Sequence, residues 1–438
     1  MTKKVGHKLK SIKSGTFSRG FSLAKMTFSA GAQAAGHAVG NLFSDDANQE
    51  KRGTALLLSQ ATLIAKELGA LKGSVMKVGQ MLSMFGEHLL TPEVNSILKS
   101  LQSQSPPLEW PAIEKVIKRR LSSEQLALLD ISPEALACAS LGQVHLAVRK
   151  KDQLKIALKI QYPGVEQAIE SDIKSMRSLL SMAKLIPGGA QYDDLFKEVR
   201  EMLHREVDYQ RELQATLDFK KLLASDSRFI IPTPLPEFSG KKILATTFEA
   251  GVSVDSPEVA ALSLERRNAL AAAAYELYLR EIFEFRKVQT DPHFGNYQIR
   301  IAEAPDHSGK YLDQIILFDF GAIREVSHSF LKNYRDMVKG ALEHDDELLK
   351  KAALKMELIK DTDSAKAIQQ FTELCLLMME PSSRPESETY AWGKSDLVKR
   401  MMVQGSKFAF EFKLRSPPRE MLFINRKIGG IFFFLSIF

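Results

Sequence analysis

The first clear pattern in the chain is a stripe of apolar residues between Leu57 and Phe85, which recur at spacings of three, four and seven. This periodicity predicts an amphipathic helix or a pair of helices. The segment from Gln104 to Pro107 is polar and ends in two prolines, which favours a linker. A second helical stretch is predicted from about Trp110 to Leu121.

The periodicity changes near Ala137. Two short runs, Gly142 to Val148 and Ile156 to Ile160, have the composition of β-strands, and a polar turn from Arg149 to Gln153 joins them. We therefore predict a β-hairpin. Helical patterning returns over residues 165–223.

The second half of the chain is predicted to be mainly helical. Lys241 to Phe248 has a strand pattern, Leu262 to Phe285 is a long helix rich in Ala and Leu, and Ile315 to Phe318 is a short buried strand. Helical segments follow, interrupted at residues 381–385 and 416–418. No internal repeat of about 20 to 50 residues is present, which argues against a solenoid. These elements predict an α+β fold in which a small sheet with helices precedes a mostly helical lobe.

The net charge of +7 is located in one arm at the start of the chain. Seven of the 60 Lys and Arg residues precede Asp45, with no acid among them, and the other 53 balance the 53 Asp and Glu residues. The body therefore lacks the basic excess that nucleic-acid binding requires, and no nucleic-acid partner is expected. The arm itself is compatible with a flexible segment, a transit peptide or a segment that contacts an anionic membrane surface.

Two further features of the composition restrict the class of protein. The two cysteines, Cys138 and Cys375, exclude a disulfide scaffold and favour a reducing compartment. The apolar run from Ile428 to Phe438 is too short to cross a bilayer, so a packed terminal helix is predicted there.

The strongest candidate chemistry lies in Asp291, Asn296 and the triplet that begins at Asp319. Phosphoryl transfer needs a carboxylate near the attacking hydroxyl and oxygen ligands for Mg²⁺, and this ordered set supplies both. The alternative is structural: Asp291 and Asn296 cap a turn, and Asp319 ends a strand.

Lys159 is the candidate for holding nucleotide phosphates, because Ala157-Leu158-Lys159 matches the strand lysine of kinases in character. Taken alone, it would be a solvated edge residue. The run from Glu206 to Glu212 lies on a predicted helix, where Asp208 and Glu212 share a face and Glu206 lies on another. One acid can then face the nucleotide site and another a different partner, although a solvated acidic face is the alternative.

The predicted phosphate loop contains small side chains but a single glycine, where kinases have a glycine-rich loop. Such a loop can still bring backbone N–H groups near phosphate, with less conformational freedom than glycine provides. No Ala-Pro-Glu follows the Asp319 triplet, so a platform for protein substrates is not indicated. The candidate nucleotide-binding residues of the loop are Ala137, Cys138, Ala139, Ser140, Leu141, Gly142, Gln143 and Val144.

These motifs resemble the UbiB family of atypical kinase-like proteins, whose members support coenzyme Q and other prenyl-lipid metabolism. The resemblance runs from about Leu57 to Phe434 and depends on ordered motifs. Cys138 stands where the family usually has alanine, and Phe294 replaces its usual second proline. The matching motifs are Lys77-Val-Gly-Gln80, Ser140-Leu-Gly-Gln-Val-His145, Ala157-Leu-Lys-Ile-Gln-Tyr-Pro-Gly164, Glu206-Val-Asp208, Gln289-Thr-Asp-Pro-His293 and Asp319-Phe-Gly321.

The resemblance implies a role for each matching residue. Lys77, Gly79 and Gln80 would belong to an inhibitory extension that occupies the place of a peptide substrate, and Glu206 and Asp208 would be its partners. Lys159 would form an ion pair with Glu212. Asp291, Asn296 and Asp319 would serve catalysis and Mg²⁺ binding.

The resemblance also implies a two-lobed protein-kinase-like fold with an N-terminal helical extension, binding ATP with Mg²⁺. We expect an arm at residues 1–50, the extension at 51–125, an N-lobe with inserted helices at 126–248 and a C-lobe at 249–438. The expected activity is ATP hydrolysis or phosphotransfer in support of ubiquinone or other prenyl-lipid biosynthesis, alongside quinone intermediates and their enzymes. Two alternatives stay open: a nucleotide-switched lipid-handling scaffold without enzymatic activity, and a true protein kinase. We expect a bacterial cytoplasmic protein at the membrane surface, with the mitochondrial matrix as the alternative.

Overall fold

The structure is a computed structural model that divides into two compact units. The first unit comprises the described residues up to Gln214 together with Pro234–Phe248, and the second comprises Ala215–Thr233 and Glu249–Phe438. Residues 215–233 thus belong to the second unit, although the sequence analysis placed them in the N-lobe. The described residues are 77–79, 81–82, 107–139, 141–182, 190–291, 293–385, 387–411 and 418–438.

Helices and strands come in groups in the first part of the chain. Most of the predicted helical stretch Leu57 to Phe85 lies outside the described residues, but 77–79 and 81–82 are helical. The elements that follow are α1 (Trp110–Arg120), α2 (Ser123–Ala127), β1 (Leu129–Ala139), β2 (Gly142–Arg149), β3 (Leu154–Gln161), α3 (Val165–Met182), α4 (Ala190–Glu206), α5 (Tyr209–Leu222), β4 (Phe229–Ile230) and β5 (Ile243–Thr247).

Helices dominate the rest of the chain, as predicted. The elements are β6 (Val252–Ser253), α6 (Pro257–Ala260), α7 (Leu264–Phe283), β7 (Lys287–Gln289), β8 (Tyr297–Arg300), β9 (Gln314–Leu317), β10 (Ile323–Glu325), α8 (His328–Glu343), α9 (Asp346–Lys355), α10 (Ala365–Met379), α11 (Leu397–Glu411) and α12 (Arg419–Ile437).

The first unit contains an antiparallel four-stranded sheet in the order β1-β2-β3-β5. The predicted hairpin is confirmed, since β2 pairs with β3 and Val144 lies opposite Lys159. On its other side, Lys159 lies opposite Leu244 of β5. The lysine therefore sits on a central strand, which argues against the alternative of a solvated edge residue.

Strand β1 begins well before Ala137, where the sequence analysis placed the change in pattern. Its register shifts between Ile131 and Ala135 and again between Ala135 and Ala137, and it contains Pro133. These irregularities remove the alternation of buried and exposed side chains that reveals a strand. The strand was missed for that reason.

The predicted continuous helix through Glu206 and Glu212 is wrong. Helix α4 ends at Glu206, and α5 begins at Tyr209. The carboxylate of Asp208 accepts a hydrogen bond from the backbone N–H of Arg211 at 3.1 Å, which caps the start of α5. Because this cap starts a new helix, one helical wheel cannot show the directions in which Glu206, Asp208 and Glu212 point.

The second unit contains a four-stranded sheet in the order β4-β9-β8-β6, and β7 pairs with β10 in a separate two-stranded sheet. Strand β8 pairs antiparallel with β9, with Tyr297 opposite Leu317, so Asn296 and Phe318 lie at adjacent ends of these strands. The long helix α7 begins after Ser263, whose hydroxyl accepts from the N–H of Arg266.

Helix α12 forms the end of the chain, as predicted from its apolar composition. Its buried residues include Ile424, Ile428, Ile431 and Leu435, which belong to the apolar core of the second unit. Among the described residues, no helix is long and apolar enough to span a membrane.

Candidate active site

Lys159 of β3 forms an ion pair with Glu212 in the first unit. Its Nζ lies 2.7 Å from Oε1 and 3.0 Å from Oε2 of Glu212. The ammonium group also lies over the ring of Tyr209, 5.3 Å from its centroid. The structure therefore brings together the two residues for which the resemblance implies a strand-to-helix pair.

The position of Glu212 follows from the start of helix α5. Asp208 caps this helix, and Glu212 lies in its first turn, where the helix dipole favours a negative charge. The carboxylate is buried, so its charge requires a close cationic partner. Lys159 supplies that partner from the central strand.

The single glycine of the predicted phosphate loop is required by the sheet itself. Ala139 pairs with Gly142, so the connection between β1 and β2 is tight. A Cβ atom at Gly142 would lie 2.4 Å from the carbonyl oxygen of Ile160 and 2.9 Å from the hydroxyl of Tyr209. Close packing of β2 on β3 thus explains Gly142 without any contact to phosphate.

The remaining loop residues divide into buried and accessible groups. Gln143 is buried, and its Oε1 accepts from the N–H of Leu108 at 2.9 Å, while its Nε2 lies 2.8 Å from His145 Nε2. Leu141 is also buried. These two can offer only backbone groups to a nucleotide. Ala137 and Cys138 are exposed, Ala139 and Val144 are half-buried, and Ser140 lies outside the described residues.

Lys77 forms a second ion pair in the first unit. Its Nζ lies 2.8 Å from Glu206 Oε1, at the end of helix α4. Lys77 and Gly79 are both buried, and Gln80 lies outside the described residues. The contact between Lys77 and Glu206 matches the partnership that the resemblance implies, whereas Asp208 serves as the cap of α5.

In the second unit, the turn after β7 holds Asp291 by its backbone. The N–H of Asp291 donates to Gln289 Oε1 at 2.7 Å, and its carbonyl accepts from Asn296 Nδ2 at 2.9 Å. His293 stabilises the turn by accepting from the N–H of Gly295 at 2.9 Å. The turn-capping alternative is therefore correct for part of this motif, but it involves the backbone and leaves the carboxylate of Asp291 for other contacts.

Asp319 follows strand β9 in a strained backbone conformation, with φ of 52°. Its Oδ1 accepts from the N–H of Gly321 at 3.1 Å, and its carbonyl accepts from Gln289 Nε2. The preceding N–H, that of Phe318, donates to the carbonyl of Asn296 at 2.9 Å. The structure thereby brings Asp319 next to Asn296.

The donor atoms at Asp319 and Asn296 fit Mg²⁺. Because Asn296 donates through Nδ2 to Asp291, its amide oxygen is the atom available to accept or ligate. Mg²⁺ prefers oxygen ligands and is usually held by one or two protein side chains together with water and phosphate oxygens. Among the described residues, no group of three or more His, Cys, Asp or Glu residues is arranged to hold a metal ion.

Two cations of helix α12 also reach this region, and the sequence analysis missed both. Arg426 Nη2 lies 2.7 Å from Asp291 Oδ1. Lys427 Nζ lies 2.8 Å from Glu281 Oε2, and the same carboxylate oxygen accepts from the N–H of Gln289 at 3.1 Å. The available signal was the pair of adjacent Arg and Lys residues just before the apolar second half of the terminal helix.

Comparison with known proteins identifies the family. The model of the ABC1 atypical kinase-like domain matches residues 100–353. The chain is 29% identical over 387 residues to atypical kinase COQ8B, mitochondrial, from Rattus norvegicus, covering 87% of this chain and 70% of that protein. It is 27% identical over 381 residues to atypical kinase COQ8, mitochondrial, from Schizosaccharomyces pombe, covering 86% and 60%.

A solved structure supports the fold. The complex of Rv3197 with erythromycin from Mycobacterium tuberculosis matches with a TM-score of 0.57 and 23% identity, covering 89% of this chain and 94% of that one. The family match and this likeness confirm the predicted α+β, kinase-like fold. The chain belongs to the ABC1 family of atypical kinases, as the resemblance of its motifs implied.

Proposed function

We propose that the chain binds ATP with Mg²⁺ and either hydrolyses it or transfers its terminal phosphoryl group to a small or lipid-like acceptor. The pair of Lys159 and Glu212 is the observation that carries this proposal. A lysine on a central strand, oriented by a buried glutamate from a helix, is the arrangement that kinases use to hold nucleotide phosphates.

Each site residue then has a separate task. Lys159 positions the α- and β-phosphates, and Glu212 fixes the lysine. Asp319 and Asn296 hold Mg²⁺, which neutralises charge on the phosphate oxygens when it is bound. Asp291 orients the nucleophile, whether water or an acceptor hydroxyl, through its carboxylate. The loop from Ala137 to Val144 is proposed to contribute backbone N–H groups that bind the phosphates.

The names of the relatives favour a mitochondrial setting for this activity. The Rattus norvegicus and Schizosaccharomyces pombe proteins are both named mitochondrial atypical kinases. Together with the family resemblance, this supports a role in ubiquinone or other prenyl-lipid biosynthesis, with quinone intermediates and their enzymes as partners. It also favours the mitochondrial alternative over a bacterial cytoplasmic protein.

The extension is proposed to limit access of protein substrates. The contact of Lys77 with Glu206 supports this role, because it fixes part of the extension to the end of helix α4. It favours a small or lipid-like acceptor over the alternative of an ordinary protein kinase.

The test is Mg²⁺-dependent release of ADP from ATP by the purified chain, with and without vesicles containing anionic lipid. Asp319→Asn should lower turnover by about 100- to 1,000-fold, because it removes a charge that acts on the transferring group. Asp361→Asn is the matched control, since Asp361 is an exposed acid in a turn. Unchanged turnover in folded Asp319→Asn would refute the assignment. Tight binding of ATP without any turnover would instead favour the nucleotide-switched scaffold.

A further inference from the structure

The carboxylate of Asp291 is contacted by a residue from the far end of the chain. Arg426 of helix α12 donates from Nη2 to Asp291 Oδ1 at 2.7 Å. The two side chains are 21% and 22% exposed, so this is neither a fully solvated surface pair nor a buried one. A hydrogen bond between a guanidinium group and a carboxylate in such a setting is strong and directional.

This contact completes the restraints on Asp291. Its backbone is held on one side by Gln289 and on the other by Asn296, but those bonds leave rotation of the side chain unrestricted. Arg426 binds one carboxylate oxygen and thereby restricts that rotation. The second oxygen, Oδ2, then has a defined direction in which to accept a hydrogen from a nucleophile.

The position of Arg426 is itself fixed by its neighbours on helix α12. Lys427 is buried and paired with Glu281, which also accepts from the backbone of Gln289. Farther along the helix, the ring of Phe433 stacks on Phe294 with centroids 5.3 Å apart. Helix α12 is therefore attached to the segment around Asp291 at several points, and this gives Arg426 a rigid base.

We propose that Arg426 is a positioning residue for Asp291. This inference rests on the proposed function and adds one residue to its site. It acts on the orientation of the carboxylate toward the nucleophile and makes no contribution to holding the nucleotide. Its removal should therefore lower kcat and leave the affinity for MgATP nearly unchanged.

The experiment compares Arg426→Gln, Arg426→Lys and the control Arg419→Gln in steady-state turnover of MgATP. Arg419 is a cation in the first turn of the same helix, seven residues before Arg426. Arg426→Gln should lower kcat by about 10- to 100-fold, the range expected for a misplaced reacting group. Its Kd for MgATP should stay within about twofold, because uniform binding is unaffected. Arg426→Lys should recover part of the loss, since the charge is kept and the planar fork is lost.

A double-mutant cycle separates positioning from a general structural effect. In the Asp291→Asn background, Arg426→Gln should cause little further loss, because the two residues act as one unit. A loss in the double variant equal to the sum of the two single losses would overturn the proposal. A kcat of folded Arg426→Gln equal to that of the parent would also overturn it. A kcat above that of the parent would overturn it and identify Arg426 as an inhibitory contact. If Arg426→Gln does not fold, a kcat of Arg426→Lys equal to the parent's overturns it in the same way. Failure of the proposed function is distinguishable, because the parent chain itself would then show no turnover that depends on Asp319.

Discussion

The two units each contain a Lys–Glu pair of nearly the same length, and the two pairs differ in the exposure of the lysine. Lys159 and Glu212 are 2.7 Å apart, and Lys427 and Glu281 are 2.8 Å apart. The glutamate side chains are equally buried, at 4% and 3% exposure. The lysines differ, because Lys159 is 16% exposed and Lys427 only 4%. The proposed function assigns the first pair to the nucleotide, and the greater exposure of Lys159 supports that assignment.

The surroundings of Lys427 show why its pair acts as an anchor. Burial acts to lower the pKa of Lys427, but the charge of Glu281 and the contact with Tyr297 hold that pKa above its usual value. Burial raises the pKa of Glu281, and Lys427 works against that rise. Because Glu281 also accepts from the N–H of Gln289, the contacts favour an ionised pair. Breaking it would leave a buried charge without a partner.

The largest expected effect is on the anchor. Glu281→Gln should lower the free energy of unfolding by about 3 to 5 kcal/mol, because Lys427 is buried and would lose the carboxylate that neutralises its charge. Urea denaturation of the purified variant measures this loss. A decrease smaller than about 1 kcal/mol, the value typical of exposed pairs, would show that the pair is not an anchor.

The matched control replaces both members of the pair. Glu281→Leu combined with Lys427→Met removes both charges and keeps apolar volume, a change that is often neutral for stability. The double variant should therefore be more stable than Glu281→Gln. The reverse order would show that the interaction itself, and not the orphaned charge, accounts for the loss.

Breaking the pair in the first unit should affect function more than stability. Lys159→Met removes a partly exposed lysine, and the buried carboxylate of Glu212 can then take up a proton, so the free energy of unfolding should fall by about 1 to 3 kcal/mol. Binding of MgATP, measured by isothermal titration calorimetry, should be lost. Glu281→Gln should still bind MgATP below its unfolding transition. Retained binding by Lys159→Met would contradict the assignment of this pair as the ligand site.

A substitution of Gly142 in the first unit tests strand packing without changing any charge. Gly142→Ala should destabilise the chain by about 1 to 3 kcal/mol, because the added Cβ would meet the backbone of Ile160. Gly429→Ala on helix α12 is the control: no neighbouring atom lies within 4 Å of the position that its Cβ would take, and alanine favours the helix by about 0.5 to 1 kcal/mol. Thermal denaturation compares the two. Equal melting temperatures would contradict the role of Gly142 in the packing of β2 on β3.

A third pair should show the smallest effect. Lys77 is buried, but its partner Glu206 is only half-buried and can regain water when the lysine is removed. Lys77→Ala should therefore cost about 1 kcal/mol in urea denaturation. Lys77→Arg keeps the charge and should lose less. A loss as large as that of Glu281→Gln would show that the half-buried position of Glu206 does not limit the cost of removing Lys77.

Local patterns were sufficient to predict most elements of the fold and the motifs of the site. The hairpin that carries Lys159, the long helix α7 and the strand before Asp319 all have clear periodicity or composition. Features that depend on distant residues were not predicted. For example, Gln143 accepts a hydrogen bond from the N–H of Leu108, which lies 35 residues earlier and just before α1. The cap at Asp208 is local, and its aspartate is a usual N-cap residue, but the sequence analysis did not use this signal.

The contacts of helix α12 were the least predictable. Arg426 and Asp291 are separated by 135 residues, and no local pattern links them. Their pairing depends on how α12 packs against the segment after β7, which is a property of the folded core of the second unit. A charged pair of residues in an apolar helix indicates that buried partners exist but does not identify them.

The central claim is the proposal that this chain binds ATP with Mg²⁺ and that Asp319 is required for this binding. The most direct measurement is the thermal stability of the purified chain with ATP or ADP, in the presence and absence of Mg²⁺, beside Asp319→Asn. A ligand that binds only the folded state raises its stability, so we predict a Mg²⁺-dependent increase in melting temperature that Asp319→Asn loses. No increase in the folded parent chain, or an equal increase in the variant, would contradict the account.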